Sequence, residues 1–176
     1  MLRYAMKLAG LLAAACLPFH AQAQTYPDKP VRLIVAYTPG GATDVIARIL
    51  AAKLTANWGQ QVIVENKSGA SGMIGAEQVV NAKPDGYTLL LAYTPEVSIN
   101  KLVYKQMRYD PLKDLQPIAL VADAPLVLVS GPKLPAATYA DLKRQGAQAP
   151  LVYGSPGTGG QQHLAGELLR VRSGMN

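Results

Sequence analysis

The sequence predicts an α/β protein built on a parallel sheet, and three observations carry that prediction. Apolar runs of strand length alternate with amphipathic helical stretches, and the first run, residues 31–36, is apolar nearly throughout, as a strand covered on both faces requires. One design also occurs twice: an apolar strand, a glycine-rich loop with no charge at its tip, then a helix. Its first copy is Val31-Arg32-Leu33-Ile34-Val35 with Thr38-Pro39-Gly40-Gly41-Ala42-Thr43-Asp44. Its second is Leu151-Val152-Tyr153 with Gly154-Ser155-Pro156-Gly157-Thr158-Gly159-Gly160. Finally, the order strand, helix, strand, helix, strand up to residue 92 implies right-handed parallel crossovers.

After the first strand, Val45, Ile46, Ile49, Leu50 and Leu54 share one helical face, and Asn57-Trp58-Gly59 ends the helix. Residues 61–65 form the second strand, and the loop at residues 66–72 leads into a helix through Ile74, Val79 and Ala82. Pro84-Asp85-Gly86 turns the chain into a third strand at residues 87–92. Between Tyr93 and Leu115, Pro95 and Pro111 interrupt the pattern around a short helix near residues 97–104. Residues 118–122 and 126–129 read as two more strands, and Asp123-Ala124-Pro125 between them marks a crossing between domains. Thr138 and Asp141 have the spacing of a capping box at the head of a helix. Residues 151–153 are the next strand, and the last helix puts Leu164, Leu168 and Val171 on one face. A second domain with so few strands leaves an unpaired edge, so the sequence reads as the front portion of a longer protein. The expected division is residues 1–23 as a signal peptide, 24–123 as a first lobe and 124–176 as the start of a second.

The signal peptide is expected from Arg3 and Lys7, the apolar run at residues 8–17, and Ala21-Gln22-Ala23, with cleavage after Ala23. Ala13-Ala14-Ala15 before the sole cysteine, Cys16, offers lipoprotein processing as the alternative, although the leucine expected three residues earlier is missing. No later run approaches the ~20 apolar residues that span a bilayer. With Arg3 and Lys7 set aside, 15 basic residues face 11 acidic ones, scattered and not interleaved with aromatics, which argues against a nucleic-acid groove.

Helix N-termini expose N–H groups without intrahelical partners and carry partial positive charge, so the two loops suit an anion held between them. The donors would be the N–H groups of Gly40, Gly41, Thr158 and Gly159 and the hydroxyls of Thr38, Ser155 and Thr158. These are neutral groups, each contributing ~0.5 to 1.5 kcal/mol, which suits a carrier that must release its cargo. Other chemistries fit less well. The Gly40-Gly41 loop lacks both the G-x-G-x-x-G spacing and a G-K-[ST]. Gly154-Ser155-Pro156-Gly157 does not match a nucleophile elbow, and His163 follows Ser155 too closely to serve it as a base. His163 is also the single histidine beyond the leader, too little for a zinc site. No cofactor is expected. Asp44 is read either as a helix-end carboxylate or as a ligand contact, and His163 either as a packed support of the second loop or as a ligand contact. The glycines at 69, 72 and 75 are read first as close helix-to-strand packing, with ligand contact as the alternative.

These residues also carry a likeness to a known family. Tyr26-Pro27, Lys29-Pro30, Pro39-Gly40-Gly41 with Asp44 and Ala47-Arg48, Gly59-Gln60, Val64-Glu65-Asn66 and Gly75 carry its first part. Pro84-Asp85-Gly86-Tyr87-Thr88-Leu89-Leu90, Tyr109-Asp110, Lys113-Asp114-Leu115, and Tyr153, Ser155, Gly157, Gly159 and His163-Leu164-Ala165-Gly166-Glu167 carry the rest. In this order they resemble the Bug-type solute-binding proteins of tripartite tricarboxylate transporters. The resemblance implies a two-lobed, Venus-flytrap periplasmic binding protein, its second lobe incomplete here, that closes on a small organic acid or acidic amino acid by a hinge motion. It implies a monomer, not an enzyme, that delivers its ligand to membrane transporter subunits or, alternatively, presents its closed form to a sensor kinase. The matching positions are Tyr37, Pro39, Gly40, Gly41 and Asp44 in one loop and Ser155, Gly157, Thr158, Gly159 and His163 in the other, with Thr94 and Ser98 matching more loosely. Lys67-Ser68 stands where the family has arginine-proline, and Lys101 where it has proline after Asn100.

Overall fold

In a computed structural model, which describes residues 25–175, β1 (Val31–Val35) occupies the middle of a three-stranded parallel sheet of order β2-β1-β3. The expected leader, its cleavage after Ala23 and Cys16 lie outside the described residues. β2 (Val62–Asn66) pairs from Val31 opposite Val62 to Val35 opposite Asn66. β3 (Thr88–Leu91) pairs on the other side, from Arg32 opposite Thr88 to Val35 opposite Leu91. Val31, Ile34, Val35 and Ala36 have no exposed surface, which accounts for the near-continuous apolar run. Arg32, the polar exception, donates Nε and Nη2 to the two carboxylate oxygens of Glu65 at 2.6 and 2.9 Å.

Alternate residues of β1 serve two different helices. Val31, Leu33 and Val35 pack with Ala47 and Ala51 of α1 (Ala42–Trp58) and with Val62 and Leu91. On the opposite side, Ala36 lies so close to α2 (Met73–Val80) that a Cβ on Gly75 would come within 2.8 Å of the Ala36 Cα. The close-packing role expected for the glycine-rich loop after β2 is therefore met at Gly75. Each fully buried Val, Leu or Ile contributes ~1.5 to 3 kcal/mol, so the sheet centre is the best-stabilised part of the chain. α1 stops at Gly59, whose φ of +68° lets its N–H reach the Thr55 carbonyl.

Beyond the sheet, a π turn (Pro95–Ile99) runs into α3 (Asn100–Val103), followed by α4 (Pro111–Asp114). α5 (Tyr139–Gly146) opens with the predicted capping box, Thr138 and Asp141 each accepting the other's backbone N–H. α6 (Gln161–Ser173) is the last helix. Residues 118–122, 126–129 and 151–153, expected as strands, are not strands. A strand exists only where a neighbour takes its N–H and C=O groups, and no ladder pair among the described residues includes these stretches. They keep the hydropathy of strands, with Leu120 88% and Val152 98% exposed. Among the described residues, no helix is long and apolar enough to cross a membrane.

Candidate functional site

The connection from β1 runs to β2 on one side and the connection from β2 crosses back to β3 on the other, and open parallel sheets of this kind bind ligands in a crevice at the carboxyl ends of their strands. The loops after β1, β2 and β3 meet at that edge. The loop after β1 presents Thr38, Pro39, Gly40 and Gly41 to solvent, with Tyr37 half-buried behind them. Gly40 has a φ of +87°, and its N–H donates to Asp44 Oδ2 at 2.9 Å in the first turn of α1. Asp44 is saturated. It also accepts Arg48 Nε and Nη2, both at 3.0 Å, and Asn66 Nδ2 at 2.9 Å. Arg48, then Gly40 and Asn66, hold its carboxyl well below the usual range. Asn66 in turn donates to the Tyr37 carbonyl at 3.0 Å, tying the end of β2 to the loop.

The loop before α6 repeats this local design. Gly159 has a φ of +79°, and its N–H donates to His163 Nδ1 at 3.3 Å, again a side chain four residues on in the first helical turn. The two helix caps match as well: Gly41 sits at φ −77°, ψ 169° and Gly160 at φ −72°, ψ 167°. Each loop is thus braced by its own helix, Asp44 for one and His163 for the other. A correction to the expected donor set follows. The N–H groups of Gly40 and Gly159, expected to face the ligand, are used internally by Asp44 and His163. Ser155 Oγ makes a long bond of 3.4 Å to the Gly157 carbonyl in the same loop.

Side chains that the sequence did not single out bring the second loop to the crevice. The Thr158 carbonyl accepts Tyr104 OH at 2.9 Å and Ser71 Oγ at 3.2 Å. Ser71 lies in the 3-10 turn Ala70–Gly72 between β2 and α2, at a φ of +52°. Buried Asn100 holds it there by donating Nδ2 to its carbonyl at 2.8 Å. Gly159 completes the contact, since a Cβ there would lie 3.1 Å from Tyr104 OH and Val103 Cγ1. Thr94 and Ser98, at the head and within the π turn after β3, are exposed along the same edge. Among the described residues, no group of His, Cys, Asp and Glu is placed to hold a metal ion.

Residues 46–176 match the model of the tripartite tricarboxylate transporter family receptor. The chain belongs to this receptor family. Its members are solute receptors and not enzymes. Protein BugT of Bordetella pertussis is 38% identical over 166 residues, covering 93% of this chain and 51% of its own length. An uncharacterised-family protein from the TAR-I ttuE-ttuC' intergenic region of Agrobacterium vitis is 39% identical over 167 residues, covering 93% and 48%. The chain thus spans about half the length of the curated relatives it matches. Among solved structures, an R. palustris protein with adipate superposes with a TM-score of 0.83 at 37% identity, over 86% of this chain and 51% of that one. MatC from Rhodopseudomonas palustris with bound malate gives 0.75 at 25% identity, over 86% and 52%. The periplasmic binding protein BugD gives 0.73 at 33%, over 86% and 51%. The fold of this receptor chain is accordingly that of the periplasmic binding proteins, of which it represents about half.

Proposed function

We propose that the chain is the part of a periplasmic solute receptor that holds a small organic carboxylate between Thr38–Gly41 of one loop and Ser155–Gly159 of the other, for uptake by a tripartite tricarboxylate-type transporter. The observation that carries this reading is the matched pair of braced, glycine-rich helix N-termini, brought to one crevice by the Ser71 and Tyr104 bonds to Thr158. Backbone amides at two helix ends favour negative charge without a fixed cation, which gives selective yet reversible capture. The glycines support it further. Gly41 and Gly157 have no left-handed φ, and a Cβ on either would meet at most ordinary contacts, so the fold does not require glycine there. A ligand approaching the backbone does. Within this reading Tyr37, Thr38, Gly41, Thr94, Ser98, Ser155, Gly157 and Thr158 face the ligand, while Asp44 and His163 shape the loops. Two relatives of the same fold hold dicarboxylates, adipate and malate, which sets the first probes.

The test is a thermal-shift and calorimetric screen with adipate, malate, citrate, glutamate and benzoate. At least one should raise the melting temperature, and Gly41→Val should weaken that ligand by more than the small loss of unliganded stability that a poorer helix cap brings. No shift with any acid would overturn the reading, and unchanged affinity in Gly41→Val would remove the first loop from the site.

A further inference from the structure

Beneath the first loop lies a carboxyl group that this reading leaves without a role. Glu96, in the π turn after β3, is completely buried. Its Oε2 accepts the Tyr37 hydroxyl at 2.7 Å, and its Oε1 accepts the Tyr93 N–H at 2.7 Å. Tyr109 OH donates to the Glu96 carbonyl at 2.7 Å. Gly72 is cut to fit, because a Cβ there would come within 2.7 Å of Oε2 and 3.2 Å of the Tyr37 hydroxyl. Glu96 therefore joins the loop after β1 to the loop after β3, the two sides of the crevice.

Among the described residues, the groups around it supply no countercharge. Tyr37, Tyr93 and Tyr109 face it from the ends of β1 and β3 and from the approach to α4, and the 3-10 turn contributes Gly72 and Ser71. Lys101 of α3 and Lys113 of α4 are engaged with Asp110 at 2.8 and 3.8 Å, Asp114 accepts the Asp110 N–H, and Glu77 of α2 pairs with Arg108. Desolvation outweighs the hydrogen bonds from the Tyr93 N–H, the Tyr37 hydroxyl and its own N–H, and pushes the Glu96 carboxyl up to about 7.

We propose that Glu96 is a proton-responsive positioning residue for the ligand site, whose protonation turns Tyr37 from a donor to Glu96 into a donor to the bound anion. The proton comes from solvent and adds to Oε2. That oxygen then donates to the Tyr37 oxygen, Oε1 keeps the Tyr93 N–H, and the phenol hydrogen rotates free towards a ligand carboxylate. Binding an anion thus takes up a proton, and removing the buried negative charge acts in the same direction.

The inference rests on the solute-receptor reading, and calorimetric titration with adipate and malate at pH 6 and pH 8 tests both. Wild-type affinity should fall about tenfold between these values, following the protonated fraction of a group that titrates near 7. Glu96→Gln mimics the protonated state, its carbonyl accepting from Tyr93 and its amide donating to Tyr37, and should keep the pH 6 affinity at pH 8. Tyr37→Phe should lower the pH 6 affinity and leave only the smaller pH dependence that the buried Glu96 charge itself imposes. Wild-type binding that is flat with pH, or a pH dependence that survives in Glu96→Gln, would overturn the role of Glu96 and leave the receptor reading standing. A wild type blind to both acids and to the rest of the panel would overturn the receptor reading itself.

Discussion

Glu96 also makes a prediction about the unliganded protein, and its sign is opposite to that of most carboxylates. An acid whose folded value lies above its unfolded one holds its proton more tightly when folded, so unfolding releases that proton over the interval between the two values. For Glu96 the interval runs from 4.5 to about 7, and stability falls as pH rises through it. At ~1.4 kcal/mol per pH unit, full expression of that shift is a loss of about 3 kcal/mol, complete near pH 8. Depressed carboxyls such as Asp44, Glu65 and Asp85 have the reverse sign and act below their ordinary values, so the window from pH 5 to pH 8 is largely free of them. Urea unfolding at half-unit steps across this window should show midpoints declining for wild type and level for Glu96→Gln. Parallel profiles would refute the reasoning, because they would place the titration somewhere other than this side chain.

Two further perturbations bear on the scaffold of the site. Gly75→Ala forces a methyl to within 2.8 Å of Ala36 and 3.0 Å of the Lys67 carbonyl; overpacking of this kind costs ~1 to 3 kcal/mol, and a fall in melting temperature of several degrees, read by circular dichroism, checks it. Asp44→Asn removes the charge that gathers Gly40, Arg48 and Asn66. Because that carboxyl is depressed, its stabilisation is present above its ordinary value and lost as pH falls below it, so the wild-type advantage over Asp44→Asn should shrink on acidification from pH 5 to pH 2 in thermal scans.

The first three strands, their connecting helices and the Thr138 cap were legible because each rests on local sequence: an apolar run, a helical period, or a cap spacing of three. The stretches at 118–122, 126–129 and 151–153 have the same local signal and form no ladder. Their hydropathy specifies a strand only when a partner edge is present, which is information a run of residues does not contain. The two loops were legible as glycine-rich helix starts, but the bracing of Gly40 by Asp44 and Gly159 by His163 needed geometry, since a left-handed φ is what turns each N–H back towards its own helix. Glu96 was invisible for a different reason. It sits between Pro95 and Val97 like any surface acid, and only the convergence of residues 37, 72, 93 and 109 shows that it is buried.

The unpaired stretch Leu126-Val127-Leu128-Val129 has a consequence for handling the chain. Val127 is 78% and Val129 80% exposed, and these four residues make no ladder pair among the described residues. Such a segment is a template for any extended backbone that reaches it, including the same segment of another copy. Pro125 and Pro132 flank it and limit how far such pairing can spread in either direction. Association through this stretch would grow with concentration, and a lysine at position 127 or 129 is the simplest substitution to test it, by light scattering over a dilution series.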